Sequence, residues 1–264
     1  MTTEGSSYIH GTEASEQARL AALNRMTNGA FLDFLGLAPT DEVLEVGSGL
    51  GLLAAEAAGR VVRGRVTGVE YSPAQIAAAA APPANARFVQ GDAHALPFAA
   101  DSFDVVYCRY VLEHVADPAR VLGEMRRVVK PGGRVLVQEN NIEINRFDPP
   151  CPAFDRVWGR FAELQAMLGG DALIGLRLYR LFKGAGLRQV ELSVQPEVHW
   201  STSPGFVPWV TNLIGNVRSG EKALVERGLA SSADIRAAIA ELQGLMTRED
   251  ASAIFYWNRA RGVK

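Results

Sequence analysis

Three carboxylates and a cluster of glycines are spaced as a nucleoside-binding site would need them. In "VLEVGSGLG" (43–51) the glycines Gly47, Gly49 and Gly51 alternate directly after an apolar run, and Glu45 precedes the first by two residues. Glycine adopts positive φ cheaply and admits a backbone or ligand where a Cβ would not. Glu70 closes the next apolar run, 19 residues after Gly51, and Asp92 lies in "QGDA" (90–93) after a third. A carboxylate in Glu70's position can accept hydrogen bonds from both hydroxyls of a ribose. Asp92 is placed to accept from an exocyclic amine. A dinucleotide fingerprint needs G-x-G-x-x-G, and its third glycine would stand at Leu52. No lysine follows the last glycine as a Walker A loop requires. Glu45 would repel a pyrophosphate and suits an ammonium or sulfonium group. The set describes a ribose, an adenine and a cationic tail without phosphate.

Alternating elements are needed to bring these residues to one edge. Apolar positions at three- and four-residue spacing predict a helical segment over 13–36, which Gly29 could divide in two. Buried strands follow at 41–46, 64–70, 86–90, 102–108 and 134–140. Helices lie between them, one opened by Ser72 as N-cap with Pro73 behind it, another at 117–130 with Pro118 in its first turn. Strands alternating with helices imply right-handed crossovers and a parallel, doubly wound α/β sheet. Beyond it, 152–168 and 171–186 read as helices and 187–195 and 252–264 as strands. The stretch between those last strands holds two helix-like runs, 205–218 and 232–246. A loop of that length is not structureless, so 196–251 is expected to be a helical cap.

With four motifs in order, the chain resembles the class I S-adenosylmethionine-dependent methyltransferases, within them the small-molecule branch of the ubiquinone/menaquinone type. The motifs are "VLEVGSGLG", "VTGVEYSP", "FVQGDAHALPFAADSFDVVYCRYVLEHV" and "PGGRVLV", over about 40–140, and "GGDALIGLRLYRLFKGAGLRQVEL" looks like the approach to that family's sixth strand. The resemblance implies one Rossmann-like domain over 1–264: an N-terminal helical segment (1–40), a cofactor-binding core (41–140), and the rest of the sheet with its cap (141–264). It implies seven strands in the order 3-2-1-4-5-7-6, the last antiparallel. It also implies S-adenosyl-L-methionine as cofactor and S-adenosyl-L-homocysteine as product. By the same resemblance Glu45, Gly47, Ser48, Gly49 and Gly51 line the cofactor, Glu70 and Tyr71 take the ribose, and Asp92 and Ala93 take the adenine. Arg109, Tyr110 and His114 face the methionine and acceptor side, and Tyr8 and His10 close over it.

Methyl transfer demands alignment and exclusion of water more than a dedicated group. An acceptor hydroxyl, amine or ring carbon can also need a base. The candidates are His114 in "LEHV", His199 in "EVHW" and Glu139 at the end of the fifth strand. Each has a structural alternative: a hydrogen bond at the sheet edge for His114, a half-exposed loop position for His199, capping of the next loop for Glu139 and Asn140. His94 reads as an exposed histidine of the adenine-side loop. Tyr110, Asn140, Trp158, His199, Trp200 and Trp209 are the expected acceptor contacts, because an aromatic-lined pocket suits a drug-sized molecule. "DPPC" (148–151) resembles the Asp-Pro-Pro-Tyr box of some N-methyltransferases. It follows the fifth strand rather than the fourth, so it reads as a turn.

The 264 residues carry a formal charge of −2, with 48% hydrophobic residues and two cysteines. No basic footprint points to nucleic acid or an anionic membrane. Cys108 and Cys151 suit neither a disulfide framework nor a metal site, and Asp148 with Asn140 and Asn141 is too small a set for a catechol-type metal. The polar N-terminus lacks the pattern of a signal peptide, and no apolar run is long enough to span a bilayer. The expectation is a cytoplasmic monomer or homodimer acting on a small methyl acceptor, without metal, nucleic acid or membrane.

Overall fold

A computed structural model describes residues 14–264; Tyr8 and His10 lie outside the described residues. Strands and helices alternate through the first half: α1 (Ala14–Leu35), β1 (Glu42–Val46), α2 (Leu52–Ala58), β2 (Arg65–Glu70), α3 (Pro73–Ala78), β3 (Ala86–Gln90), β4 (Phe103–Arg109), α4 (Pro118–Val128) and β5 (Val129–Glu139). The second half holds β6 (Arg146–Asp148), α5 (Pro152–Met167), α6 (Leu178–Gly184), β7 (Arg188–Trp200), α7 (Phe206–Glu226), α8 (Ser232–Met246) and β8 (Ser252–Val263). Strands β1 to β5 are parallel in the order β3-β2-β1-β4-β5. β8 runs antiparallel between β5 and β7. With β7 and β8 counted sixth and seventh, this is the predicted order. The short β6, which the sequence did not announce, pairs with the start of β8.

Local chemistry explains the boundaries. Ser72 accepts the Gln75 amide ahead of Pro73, and Asp117 accepts the Arg120 amide ahead of Pro118, so both helices open as predicted. Gly29 does not divide α1, because a helical glycine facing open space costs only conformational entropy. The predicted helix at 171–186 is a 3₁₀ turn (Ile174–Arg177) followed by α6.

Two cores cover the sheet. α1 and α2 lie on one face over Phe31, Leu35, Val43, Ala54, Tyr107 and Leu136. α4 and α6 lie on the other over Leu44, Val106, Leu122, Met125, Val137 and Phe182. The third core is the cap. β5 ends at Glu139 opposite Asn258, while β8 begins at Ser252 opposite Trp200. The β7–β8 ribbon thus projects about six residues, roughly 20 Å, past the parallel strands. α5, α7 and α8 pack on its base and on each other around Phe154, Phe161, Trp209, Leu213, Leu242 and Trp257.

Candidate functional site

The glycine loop is held by the main chain. Gly47 and Ser48 donate their amides to the Val69 carbonyl (2.8 and 3.0 Å), and Gly51 donates to that of Ser48 (2.8 Å). All three glycines have positive φ, at 73°, 54° and 73°. Their openness is partly used by the protein itself. A Cβ on Gly51 would lie 2.0 Å from the Phe88 ring, and one on Gly47 would lie 2.5 Å from Val111. Two glycines read as ligand space therefore also admit a β3 aromatic and a side chain of the loop after β4.

Glu70 spans this loop and the next. Its Oε2 accepts the Gly49 amide and its Oε1 the Ser72 amide, both at 2.9 Å. Each carboxylate oxygen keeps a second lone pair, which is what a ribose diol would use. Tyr71 beside it is half exposed. Asp92 accepts the His94 amide and meets His94 Nδ1, both at 2.8 Å. Burial works to raise the Asp92 pKa, but the His94 amide and ring outweigh it and hold the carboxyl below its ordinary value. His94 is thus a partner of Asp92 rather than a bystander, and Ala93 is partly buried between them.

Glu45 is buried on the α1 face near the Tyr107 hydroxyl and the Ala54 amide, both of which favour its carboxylate, while its Oε2 and Ser48 Oγ make no hydrogen bond of full geometry. Burial pushes the Glu45 carboxyl up to about 8, and the Arg109 guanidinium offsets this only in part. An acceptor carboxyl and a hydroxyl left unsatisfied beside an amide-lined loop fit an ammonium-bearing ligand. The nearby Arg109 has been taken elsewhere: it donates to Asn24, Thr27 (3.3 Å) and Asn28 (2.7 Å) and lies 5.3 Å from the Phe31 and Tyr110 rings. It ties α1 to the tip of β4.

Glu139, expected as a base, is fully buried, and its Oε1 accepts the amides of Val111 and Leu112 (2.9 and 2.8 Å). Burial and then the neighbouring Glu113 raise its pKa well above the ordinary carboxyl value. It clamps the loop after β4 through Oε1, while its Oε2 is buried without a hydrogen-bond partner. Asn140, expected to touch the acceptor, instead donates to Glu113 Oε1 (2.7 Å) and takes the Gly175 amide (2.9 Å). Glu113 also accepts from Gln165 of α5 through its carboxylate and its main-chain carbonyl. His114 follows on a 3₁₀ turn, with Nε2 at 3.8 Å from Glu113 Oε1.

The second group lies in the cap. β7 runs five residues beyond its predicted end, so His199 belongs to the strand and not to a loop. It is buried, its ring stacks 5.6 Å from Trp209, and burial lowers its pKa, which leaves a neutral imidazole. Glu197 Oε2 lies 3.6 Å from His199 Nε2, and Glu197 Oε1 accepts the Trp257 indole N–H (3.0 Å). Trp209 also meets Phe255 and Trp257, and Tyr110 lies 4.7 Å from Trp257. Trp158 donates to the Ile142 carbonyl (2.8 Å) and stacks on Phe154. Trp200 does not join them. Successive strand residues face opposite sides, so it points away from His199 into solvent.

Several residues of this site escaped the sequence reading. Arg259 is buried, donates to Gln138 (2.6 Å) and Gln195 (3.0 Å), and sits 4.9 Å from the Phe34 ring. Burial pushes its pKa down to about 10. Gln138 passes the link to the Tyr110 hydroxyl (2.8 Å). The available signal was parity: Arg259 shares a strand face with Trp257. Glu113 was legible only as the neighbour of His114. Among the described residues no three of His, Cys, Asp or Glu are grouped as a metal site would require.

The Rossmann-like sheet, with carboxylates at the ends of β1 and β2 beside a glycine loop, is the architecture of an α/β enzyme that binds its ligand at the strand tips. Comparison specifies it further: residues 44–137 match the methyltransferase domain family. Residues 44–137 thus carry a methyltransferase domain, and the proteins to which the chain is similar include quinone methyltransferases. It is 33% identical over 141 residues to a demethylmenaquinone methyltransferase of Beutenbergia cavernae, covering 53% of this chain and 55% of that protein. It is 37% identical over 113 residues to a ubiquinone/menaquinone biosynthesis C-methyltransferase of Bdellovibrio bacteriovorus, covering 40% and 47%. The chain spans about half the length of the curated relatives it matches. In fold it resembles a putative methyltransferase from an antibiotic biosynthesis pathway of Anabaena variabilis, with a TM-score of 0.62 at 16% identity over 91% of this chain and 97% of that one.

Proposed function

We propose that this protein transfers the methyl group of S-adenosylmethionine to a small aromatic or apolar metabolite by in-line displacement. The observation that carries this reading is the pairing of Glu70, bonded to both flanking loops with lone pairs to spare, with the buried Glu45 carboxyl, whose Oε2 keeps an open acceptor position. One suits a ribose diol and the other an ammonium group. When bound, the cofactor supplies a methyl carbon already activated by a positive sulfonium.

The chain's own residues hold and enclose. Glu45 and Ser48 would accept from the amino-acid end, Glu70 would hold the ribose, and Asp92, charged at neutral pH, would take the adenine amine. Glu139 and Glu113 set the loop that carries His114. The cap excludes water and presents Tyr110, Trp257 and Trp209 to the acceptor. Neutral His199 is the histidine of that wall with the means to accept a proton, and His114 is its counterpart on the cofactor side. The relatives named for menaquinone and ubiquinone methylation support a small aromatic acceptor.

The test is transfer of tritium from methyl-labelled S-adenosylmethionine to a panel of naphthoquinols, phenols and aromatic amines. Incorporation into at least one small molecule, and none into total RNA or cell protein, is expected. Label entering only RNA or protein contradicts the substrate class.

A further inference from the structure

β7 is built inside out. In a half-covered strand the apolar side chains ordinarily turn to the core and the polar ones to water. In β7 the apolar set is Leu192, Val194, Pro196, Val198 and Trp200, and this set is the exposed one. Its four large side chains keep between 52% and 55% of their surface. The polar set, Gln195, Glu197 and His199, turns inward and is held there by Arg259 and Trp257. β8 matches in register, with Ile254 opposite Val198 and Tyr256 opposite Pro196, and Ile254 is half exposed. From Leu192 to Trp200 and from Ser252 to Asn258, this face of the ribbon bears no charged side chain.

We infer that this face packs against the same face of a second copy of the chain. An isologous contact lays the patch on itself, and a patch without charges does so without opposing like charges. An anionic bilayer or a nucleic acid would call for a cluster of basic residues on the face; the ribbon has none, and the adjoining β6 adds only Arg146, opposite Ile254, with Asp148 beside it. The area also fits. Five large side chains at half exposure offer roughly 450 Å² per protomer, the size of the largest apolar patch on a typical monomer, which is often functional. Doubled across a two-fold axis this is about 900 Å², below the roughly 1,200 Å² of stable specific interfaces and in the range of a weak, transient dimer. Contact is face to face, not by extension of the sheet. β7 is an outer strand, and Pro196 at the middle of the patch has no N–H to offer a further strand. The proline also limits open-ended strand addition. The reverse side of the same ribbon carries His199 and Glu197, so the dimer would brace the strand on which the cap stands.

The experiment is sedimentation velocity on the full chain across the micromolar range, wild type beside the double variant Val194→Asp/Val198→Asp. The wild type is expected to pass from monomer to dimer. The variant is expected to weaken dimerisation at least ten-fold while keeping the wild-type circular dichroism and S-adenosylmethionine affinity. A wild type that stays monomeric overturns the inference, and so does a folded variant that dimerises as tightly as the wild type. Should the variant fail to fold, iodide quenching of the exposed Trp200 in the wild type decides. Quenching is expected to fall as the mass doubles, and unchanged quenching overturns the inference. Co-sedimentation of monomeric wild type with phosphatidylglycerol vesicles would likewise overturn it, giving the face to a bilayer.

Discussion

At the tip of β2 a carboxylate meets main-chain amides; in the β7–β8 ribbon, side chains meet side chains. Glu70 bridges Gly49 and Ser72 across 21 and 2 residues of sequence. Arg259 reaches Gln138 across 121, and Trp257 reaches Glu197 across 60. The first arrangement fixes a loop whose shape depends on backbone conformation, so few side chains can be exchanged in it. The second fixes a wall by packing, where shape depends on the whole set. One half is suited to a constant cofactor and the other to an acceptor that varies.

That contrast can be broken most directly at Trp209. Trp209→Ala removes a buried indole stacked against His199, Phe255 and Trp257, and a loss of about 3–5 kcal/mol in urea unfolding is expected. Acceptor turnover should fall while S-adenosylmethionine affinity holds. A parallel loss of cofactor affinity would show that the two halves act as one unit.

Glu70→Ala tests the other half. Two charge-assisted bonds to loop amides and the proposed ribose contact go together, so an increase of about 100-fold in the cofactor Kd is expected, read by calorimetry. Acceptor affinity measured with the cofactor saturating should change little.

Glu45→Gln separates stability from binding. The folded state keeps the Glu45 proton up to about pH 8, against an ordinary value of 4.5. The folded chain thus holds a proton that the unfolded chain releases between those values. This group's contribution to stability is full below pH 4.5 and is lost as pH rises through about 8. The variant should therefore unfold at higher urea than the wild type at pH 8 to 9, converge with it below pH 5, and bind cofactor about ten-fold more weakly. A variant less stable than the wild type at pH 9 would mean that Glu45 is an ion-paired structural carboxylate.

The smallest expected effect is at Gly29. A Cβ there meets nothing within 4 Å, so Gly29→Ala should stabilise α1 by about 0.5–1 kcal/mol and leave cofactor binding unchanged. A loss of binding would give this glycine a role that its surroundings do not indicate.

The same contrast sets what could be read from sequence. Strands β1 to β5, the Ser72 cap and the carboxylates Glu45, Glu70 and Asp92 follow from local rules: period, turn chemistry and the end of a run. Asp92 shows the limit, because its bond to His94 depends on a loop whose shape the spacing does not dictate. Glu139 and Asn140 stayed open between a role at the acceptor and loop capping because facing the ligand-binding edge does not determine which way a side chain turns. Glu139 turned to the amides of Val111 and Leu112. His199 and Trp200 were both expected at the acceptor, yet the strand continues through them and sends them to opposite faces. Arg259 stayed hidden because a buried arginine is legible only with its partners, and these lie on other strands.

The central claim is that Glu45 and Glu70 hold S-adenosylmethionine. It is tested most directly by calorimetric titration of the cofactor into the wild-type chain at pH 7 in two buffers of different ionisation enthalpy. The account expects one cofactor per chain, with a proton released as the ammonium group meets Glu45 and its raised pKa falls. That release should vanish in Glu45→Gln. Absence of binding by the folded chain, or binding with no proton released, would contradict it.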